Sequence, residues 1–220
     1  MKNFLLLCFQ AIILNATSYA QTYFNFSEKM IKSSFAVFSP MIDRGFPAMN
    51  EGVLQIRPGI KVIKNRWAFN AHASYFLSND QNLLKNKSAT FYGHGLSLST
   101  QYHFIDWKSF KLQPSIEIGI RKYYLDYIET ISRGSYPIFK EKITVFSFTG
   151  IGMYGDIGIG IEKIYDLKNR KFGVGFGVGY RLDYGTWQLS DPIPIKNSFA
   201  HQNGLFLNVN LLVALKRNHR

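Results

Sequence analysis

Glycine alternates with large apolar residues between Lys171 and Gly185, and this pattern constrains the fold more than any other feature. In the stretch KFGVGFGVGYRLDYG every second position from 173 to 179 is glycine, and the positions that follow these glycines carry Val, Phe, Val and Tyr. Successive side chains of a β-strand point to opposite faces, so this strand has one bulky apolar face and one empty face. The bare positions are Gly173, Gly175, Gly177 and Gly179.

The same period-two alternation recurs along the chain and predicts eight strands. Their connections alternate in length, with short ones after strands two, four and six and long ones after strands one, three, five and seven. This favours an all-β, eight-stranded antiparallel up-and-down barrel with short turns at one end. The predicted strands lie near 27–39, 51–63, 66–78, 90–104, 111–125, 143–165, 171–185 and 204–216. The short connections are 64–65, 105–110 and 166–170, and the long ones are about 40–50, 79–89, 126–142 and 186–203.

The first twenty residues have a different character. Lys2 precedes the apolar run FLLLCFQAIIL, and Ser18 and Ala20 place small residues before Gln21. This order predicts a secretory signal peptide over 1–20 that is removed from the mature protein. An uncleaved anchor helix is not predicted, because a helix that spans the membrane needs roughly 20 apolar residues and this run is shorter. The predicted organisation is therefore a signal peptide (1–20), a barrel (21–216) and a short basic tail (217–220).

Few residues suit cofactor or metal chemistry. Cys8 is the single cysteine and lies in the predicted signal peptide, so the mature chain has no disulfide and no cysteine metal site. The five histidines show no metal spacing, and the chain has no phosphate loop and no dinucleotide fingerprint. We therefore predict no cofactor and no metal.

A barrel of eight alternating strands can be soluble, with its apolar face inside, or membrane-embedded, with that face toward lipid. A water-facing strand rarely carries a glycine row, whereas a narrow lumen needs bare backbone opposite bulky side chains. The glycines therefore favour the membrane barrel. Aromatic residues near the strand ends suit the girdles of such a barrel. They are Trp67, Tyr92, Tyr102, Phe104, Tyr124, Tyr180 and Tyr184.

Charged residues share the strand parity of the glycines and are predicted to lie in the lumen. Both signs of charge are present, so pairing would make their burial tolerable. This predicted lumen charge network comprises Arg57, Lys61, Glu117, Arg121, Asp156, Glu162, Arg181 and Asp183.

The predicted signal peptide, the alternating strands, the unequal connections and the stretch GVGFGVGYRLDY resemble those of small bacterial outer-membrane β-barrel proteins, the porin-like group. The resemblance implies a transmembrane barrel with four long extracellular loops and both termini in the periplasm. It implies as partners the outer-membrane lipids, including anionic lipopolysaccharide, and the barrel assembly machinery. The chain departs from the group at its end, because Leu215 is followed by KRNHR rather than closing on an aromatic residue.

His72 and Ser74 form the one candidate catalytic pair. An outer-membrane lipid deacylase family uses such a pair facing lipid, with an acid nearby. Here the alternation directs both side chains inward, and the next acid, Asp80, is predicted in a loop. A serine nucleophile needs an oriented base, so we predict a structural lumen pair and no enzyme.

The long connections are the predicted place for specific binding, because loops on rigid scaffolds carry function. The richest is 185–204, in which Trp187, Pro192, Pro194 and Phe199 form a candidate binding loop. The chain carries 26 Lys and Arg against 14 Asp and Glu, and its basic residues are dispersed along the sequence. This distribution suits binding to anionic lipid head groups rather than to nucleic acid.

The sequence thus predicts a non-enzymatic outer-membrane barrel with a structural or surface-interaction role and a plugged, charged lumen. Three alternatives stay open. They are a narrow channel for small solutes, a lipid-modifying enzyme and a soluble periplasmic barrel that binds an apolar ligand.

Overall fold

The computed structural model describes residues 21–33, 45, 52–82, 86–107, 110–132, 140–167, 170–189, 198–200 and 203–215, so the predicted signal peptide and basic tail lie outside the described residues. These ranges hold ten strands. No helix within them is long and apolar enough to cross a membrane. The strands are β1 (Gln21–Ser33), β2 (Val53–Lys64), β3 (Trp67–Asn82), β4 (Lys87–Tyr102), β5 (Ile105–Trp107), β6 (Phe110–Ser132), β7 (Lys140–Leu167), β8 (Arg170–Leu189), β9 (Ser198–Ala200) and β10 (Gly204–Ala214).

Eight of these strands form a closed ring. Each long strand pairs antiparallel with the next, in the order β1, β2, β3, β4, β6, β7, β8 and β10, and β10 pairs back onto β1. The short strands β5 and β9 lie outside the ring and pair with β6 and β8. The prediction of an all-β, eight-stranded antiparallel barrel is confirmed.

The first strand begins earlier than predicted. Strand β1 spans Gln21–Ser33, whereas the predicted strand lies near 27–39, of which 34–39 lie outside the described residues. The register of β1 with β2 and β10 fixes which side chains face inward. Phe24 and Phe26 face outward, and Asn25 is buried. The adjacent charges Glu28 and Lys29 obscure the alternation at the middle of the strand, because they face opposite sides of the sheet.

Much of the predicted long connection 79–89 is strand. Strand β3 continues to Asn82 and β4 begins at Lys87, and these extensions pair with each other. Thr90 donates a hydrogen bond to Asn79 Oδ1 (2.9 Å). Polar residues occupy both faces there, so the period-two contrast that reveals a strand is missing.

Three other predicted connections, 105–110, 126–142 and 186–203, also contain strand residues. Strand β6 runs to Ser132 and β7 begins at Lys140, which takes residues from both ends of the predicted 126–142 loop. The turn predicted at 105–110 contains β5, and the connection predicted at 186–203 contains the end of β8 and all of β9. Backbone pairing with a neighbouring strand extends these elements where side-chain alternation is weak.

The two faces of the barrel differ sharply. On β8 the face that carries Gly173 points into the lumen. The opposite face points outward, and its residues Phe176, Leu182 and Tyr184 are 53%, 55% and 59% exposed. The same division holds on the other long strands, whose outward positions are mostly Ile, Leu, Val, Met and aromatic residues. An apolar exterior around a polar lumen is the arrangement of a transmembrane β-barrel and the reverse of a soluble one.

Aromatic side chains border the apolar exterior. Near the short-turn end the ring centroids of Trp67 and Tyr102 lie 4.9 Å apart. Toward the other end the rings of Tyr92 and Tyr124 stack with their centroids 5.0 Å apart. Lys163 lies 4.5 Å from the Phe110 ring centroid, so its charge sits among aromatic rings at the short-turn edge. Amphipathic rings and snorkelling lysines are typical of membrane–water interfaces.

Candidate functional site

The centre of the lumen holds a cluster of charges contributed by several walls of the barrel. The ammonium group of Lys29 on β1 lies 2.6 Å from Asp156 Oδ2 on β7 and 3.2 Å from Glu117 Oε2 on β6. The guanidinium of Arg181 on β8 donates to both Asp156 oxygens at 2.7 Å. Arg57 on β2 donates to Glu117 Oε2 at 2.7 Å. Two carboxylates thus hold three cations in one connected central cluster.

Neutral groups complete this central cluster. The Tyr154 hydroxyl donates to Glu117 Oε1 (3.1 Å), and the ring lies 3.9 Å from the Arg181 guanidinium. Gln55 accepts a hydrogen bond from Arg181 (3.1 Å), while Lys29 lies 4.2 Å from the Phe206 ring centroid. Charge-assisted hydrogen bonds and ring faces together replace the water that these cations give up.

Two further ion pairs lie in the lumen outside the central cluster. Lys61 pairs with Glu162, whose Oε2 also accepts a 3.4 Å contact from Gln113 Nε2. Arg121 pairs with Asp183, and its guanidinium lies 5.0 Å from the Tyr123 ring centroid. Every one of these four charged side chains is buried. Buried charges of this kind are tolerated only when they are paired.

All eight charged residues singled out in the sequence are buried on the lumen side. The structure brings Arg57, Glu117, Asp156 and Arg181 together and places the other four in the two separate pairs. Sequence reasoning missed Lys29, which joins the two carboxylates. Lys29 lies on the same strand face as Asn25 and Ser27, and Phe24 and Phe26 lie on the other face. This alternation is the signal that could have identified Lys29 as a lumen residue.

Two apolar clusters lie in the lumen, one on each side of the central charges. The cluster at the long-connection end, called here the upper cluster, contains Val53, Phe76, Ala89, Phe91, Tyr123, Leu125, Tyr127, Phe148 and Tyr154. The cluster at the short-turn end, the lower cluster, contains Tyr23, Ile63, Ala68 and Leu212. An eight-stranded barrel has an interior just wide enough to be filled by side chains, and this one is filled in layers.

The inward glycines make room for bulky side chains on neighbouring strands. A Cβ atom at Gly173 would lie 3.0 Å from Leu212 Cδ1, and one at Gly179 would lie 2.7 Å from Gly158 Cα and close to the Phe206 ring. Gly177 is different, because the nearest atom to an added Cβ is a backbone oxygen at 3.4 Å. Gly175 is intermediate, with Asn210 Nδ2 at 3.3 Å.

His72 and Ser74 both lie in the lumen, where they are buried. The two ring nitrogens of His72 contact other side chains, Nδ1 with Arg57 Nη2 (3.0 Å) and Nε2 with Asn25 Nδ2 (2.9 Å). The imidazole is therefore held by an arginine and an amide, and neither partner is the carboxylate that orients a catalytic base. Within the residues described, no group of three His, Cys, Asp or Glu side chains could hold a metal ion.

The candidate binding loop is partly strand. Trp187 lies in β8 and Phe199 in β9, where the backbone pairs are Thr186 with Phe199 and Trp187 with Ser198. Pro192 and Pro194 lie outside the described residues. The β-prone run after Gly185 continues the pairing of β8 with β7, which explains why it is not a free loop.

No protein-family model matches the chain, and no curated protein matches it either. Its structure is similar to that of a major outer membrane protein from Thermus thermophilus, with 12% identity over 89% of this chain and 98% of that one, at a TM-score of 0.48. The outer membrane protease OmpT from Escherichia coli shares 9% identity over 89% of this chain and 93% of its own, at a TM-score of 0.39. The outer membrane protein AlkL shares 13% identity over 91% and 92%, at a TM-score of 0.35.

Proposed function

We propose that this chain is a non-enzymatic outer-membrane barrel whose lumen is a structural core and whose long-connection end serves surface contacts. The observation that carries this proposal is the layered filling of the lumen. Side chains of the upper cluster, the central cluster and the lower cluster succeed one another along the barrel axis.

The same filling argues against the narrow channel. A hydrated ion would have to displace the buried rings of Phe91 and Tyr123 and then pass the cations Arg181 and Lys29, which are already bound to carboxylates. Wide aqueous pores belong to barrels of sixteen or more strands. A closed barrel therefore fits the described residues better than a conducting one.

The lipid-modifying enzyme has little support in the geometry. Its candidate base, His72, is enclosed in the lumen between Arg57 and Asn25, whereas a lipid substrate would approach from the apolar exterior. A soluble barrel would require the apolar face of each strand to point into the lumen, whereas here that face points outward.

The exterior supports the proposed location and partners. The apolar belt suits lipid tails, and dispersed basic residues suit anionic head groups such as those of lipopolysaccharide. Strand β1 begins and β10 ends on the side of the short turns, so both strand ends share one face of the membrane. We assign that face to the periplasm and expect the barrel assembly machinery to insert the chain.

We expect the refolded protein to show no stepwise conductance in planar lipid bilayers, because the lumen is filled. Folding is checked in the same sample by a gel shift between unheated and boiled protein, and location by outer-membrane fractionation. Stepwise conductance that changes in Arg121→Ala or Arg181→Ala would replace the proposal with the narrow channel. Recovery in the soluble periplasm without a gel shift would contradict the membrane barrel altogether.

A further inference from the structure

The central cluster of the lumen holds one more cation than it holds carboxylates. Its cations are Lys29, Arg57 and Arg181, and its carboxylates are Glu117 and Asp156. All five side chains are buried. With each group in its ordinary charged form, three positive and two negative charges leave one positive charge over. A buried charge without a counter-charge is strongly unfavourable.

The other charged groups of the lumen do not supply the missing negative charge. Asp80 is also buried, but it lies eight residues beyond His72 on the same strand, about 25 Å away along it. His72 itself contacts Arg57 and can only add positive charge. Two further ion pairs are each neutral, and they are Lys61–Glu162 and Arg121–Asp183.

Several N–H groups of the two arginines have no acceptor among the described residues. Arg57 Nη2 contacts Glu117 Oε2 (2.7 Å) and His72 Nδ1 (3.0 Å), whereas Arg57 Nε and Nη1 have no hydrogen-bond partner. Arg181 binds through Nε and Nη2, and its Nη1 has no partner either. Arg57 and Arg181 are 2% and 0% exposed, so bulk water does not reach them. The excess charge and the unpartnered donors thus belong to the same groups.

A buried hydroxyl group lies beside these donors. Gly59 on β2 pairs with His72 on β3. Two positions further along this pair of strands, the inward residues Arg57 and Ser74 are therefore neighbours. In the described part of the chain Ser74 Oγ is buried and has no hydrogen-bond partner. Because a hydroxyl group can donate, Arg57 and Ser74 together offer N–H and O–H groups to an acceptor.

The charge of the cluster decides which acceptor fits. Water molecules could accept hydrogen bonds from Arg57 and Ser74, but they would leave the positive charge uncompensated. Sulfate and phosphate carry more negative charge than the cluster lacks, and an eight-stranded barrel is just wide enough for its own side chains. A small monovalent anion accepts the N–H and O–H groups and also makes the cluster neutral.

We propose that the folded barrel encloses one small monovalent anion, of the size of chloride, at Nε and Nη1 of Arg57 and the hydroxyl group of Ser74. Hydrogen bonds from a guanidinium to an anion are charge-assisted and therefore strong. Apolar clusters lie on both sides of the central charges, so the anion is taken up as the barrel folds and exchanges slowly afterwards. This inference rests on the proposed closed lumen.

Counting the enclosed anion is the direct test. Bromide resembles chloride in charge and size and is easily distinguished from contaminating chloride. The protein is refolded in sodium bromide, transferred by gel filtration to sodium gluconate, and boiled, and the released bromide is measured by mass spectrometry. We expect about one bromide per folded barrel, the number that neutralises the cluster.

Two variants show which charges hold the anion. Arg57→Gln leaves two cations with two carboxylates, so the retained bromide should fall at least about tenfold. The matched control is Lys61→Met with Glu162→Leu, which removes a neutral buried pair and should retain as much bromide as the wild type. The gel shift on heating reports the folding of each variant, and the wild-type count needs no variant.

The anion should also stabilise the barrel, because a ligand that binds only the folded state opposes unfolding. Wild type refolded in sodium chloride should unfold in urea at least about tenfold more slowly than wild type refolded in sodium gluconate of equal ionic strength. Unfolding rates of Arg57→Gln in the two salts should agree within about twofold.

Three results would overturn the proposal. These are a folded wild type that retains no bromide, equal retention by Arg57→Gln, which would mean an adventitious ion only, and equal unfolding rates of the wild type in the two salts. Planar-bilayer conductance is measured on the same preparation. A non-conducting barrel without bromide defeats the anion site and leaves the proposed function standing, whereas stepwise conductance defeats the closed lumen on which both rest.

Discussion

Replacing Asp156 by leucine is expected to lower the free energy of unfolding by about 3–5 kcal/mol, the cost of leaving buried charges without their partner. Asp156 binds both Lys29 and Arg181, so its loss leaves three central cations with Glu117 alone. Urea unfolding of the barrel in lipid vesicles, followed by tryptophan fluorescence, measures the change.

Two controls bracket this result. Asp166→Leu removes an exposed carboxylate near the short-turn end and should change the free energy of unfolding by no more than about 0.5 kcal/mol. Lys61→Met with Glu162→Leu removes both members of a buried pair and should cost far less than either single substitution. If Asp156→Leu were as stable as Asp166→Leu, the central cluster would not be a structural core.

Adding a methyl group at Gly179 is expected to destabilise the barrel by about 1–3 kcal/mol, whereas the same change at Gly177 should be nearly neutral. At Gly179 the new atom meets the backbone of Gly158, 2.7 Å away, which cannot rotate aside, and it also meets the Phe206 ring. At Gly177 the nearest atom is 3.4 Å away, an ordinary contact.

The two alanine variants are compared by urea unfolding and by the gel shift on heating. Each variant adds the same methyl group, at positions two residues apart on the same strand face. The difference in strand propensity between glycine and alanine therefore cancels when the two variants are compared. A further variant, Gly179→Ala with Phe206→Leu, relieves the ring contact and leaves the backbone contact in place. Equal stability of Gly177→Ala and Gly179→Ala would show that close approach of β7 and β8 is not what requires glycine.

The number of strands and the assignment of their faces could be read from the sequence, because one face meets lipid and the other meets a narrow lumen. Every second residue from Gly173 to Asp183 lies on the same face of β8, so Arg181 shares the face of the glycines and is placed inside the lumen. Strand ends were less predictable. Beyond the apolar belt, as at Asn79 and Thr90, both faces are polar and only backbone pairing continues the strand.

Partners across the lumen could not be predicted, because they depend on register around the whole ring. Lys29 and Asp156 are separated by 127 residues, and Arg181 reaches Gln55 across 126. Strand parity predicts the inward charges of β2, β6, β7 and β8, but it says nothing about their height along the axis. That height separates the Lys61–Glu162 and Arg121–Asp183 pairs from the central cluster.

The pairing of β1 with β10 joins the first strand of the barrel to its last, so the ring can close only when the final strand arrives. Lys29 lies on this closing seam, and its ammonium group is bound to carboxylates on β6 and β7. Parting the seam therefore means breaking the backbone ladder and also drawing a cation away from its carboxylates. Two different sets of bonds resist lateral unzipping, and the lifetime of the inserted barrel is set by the height of that barrier.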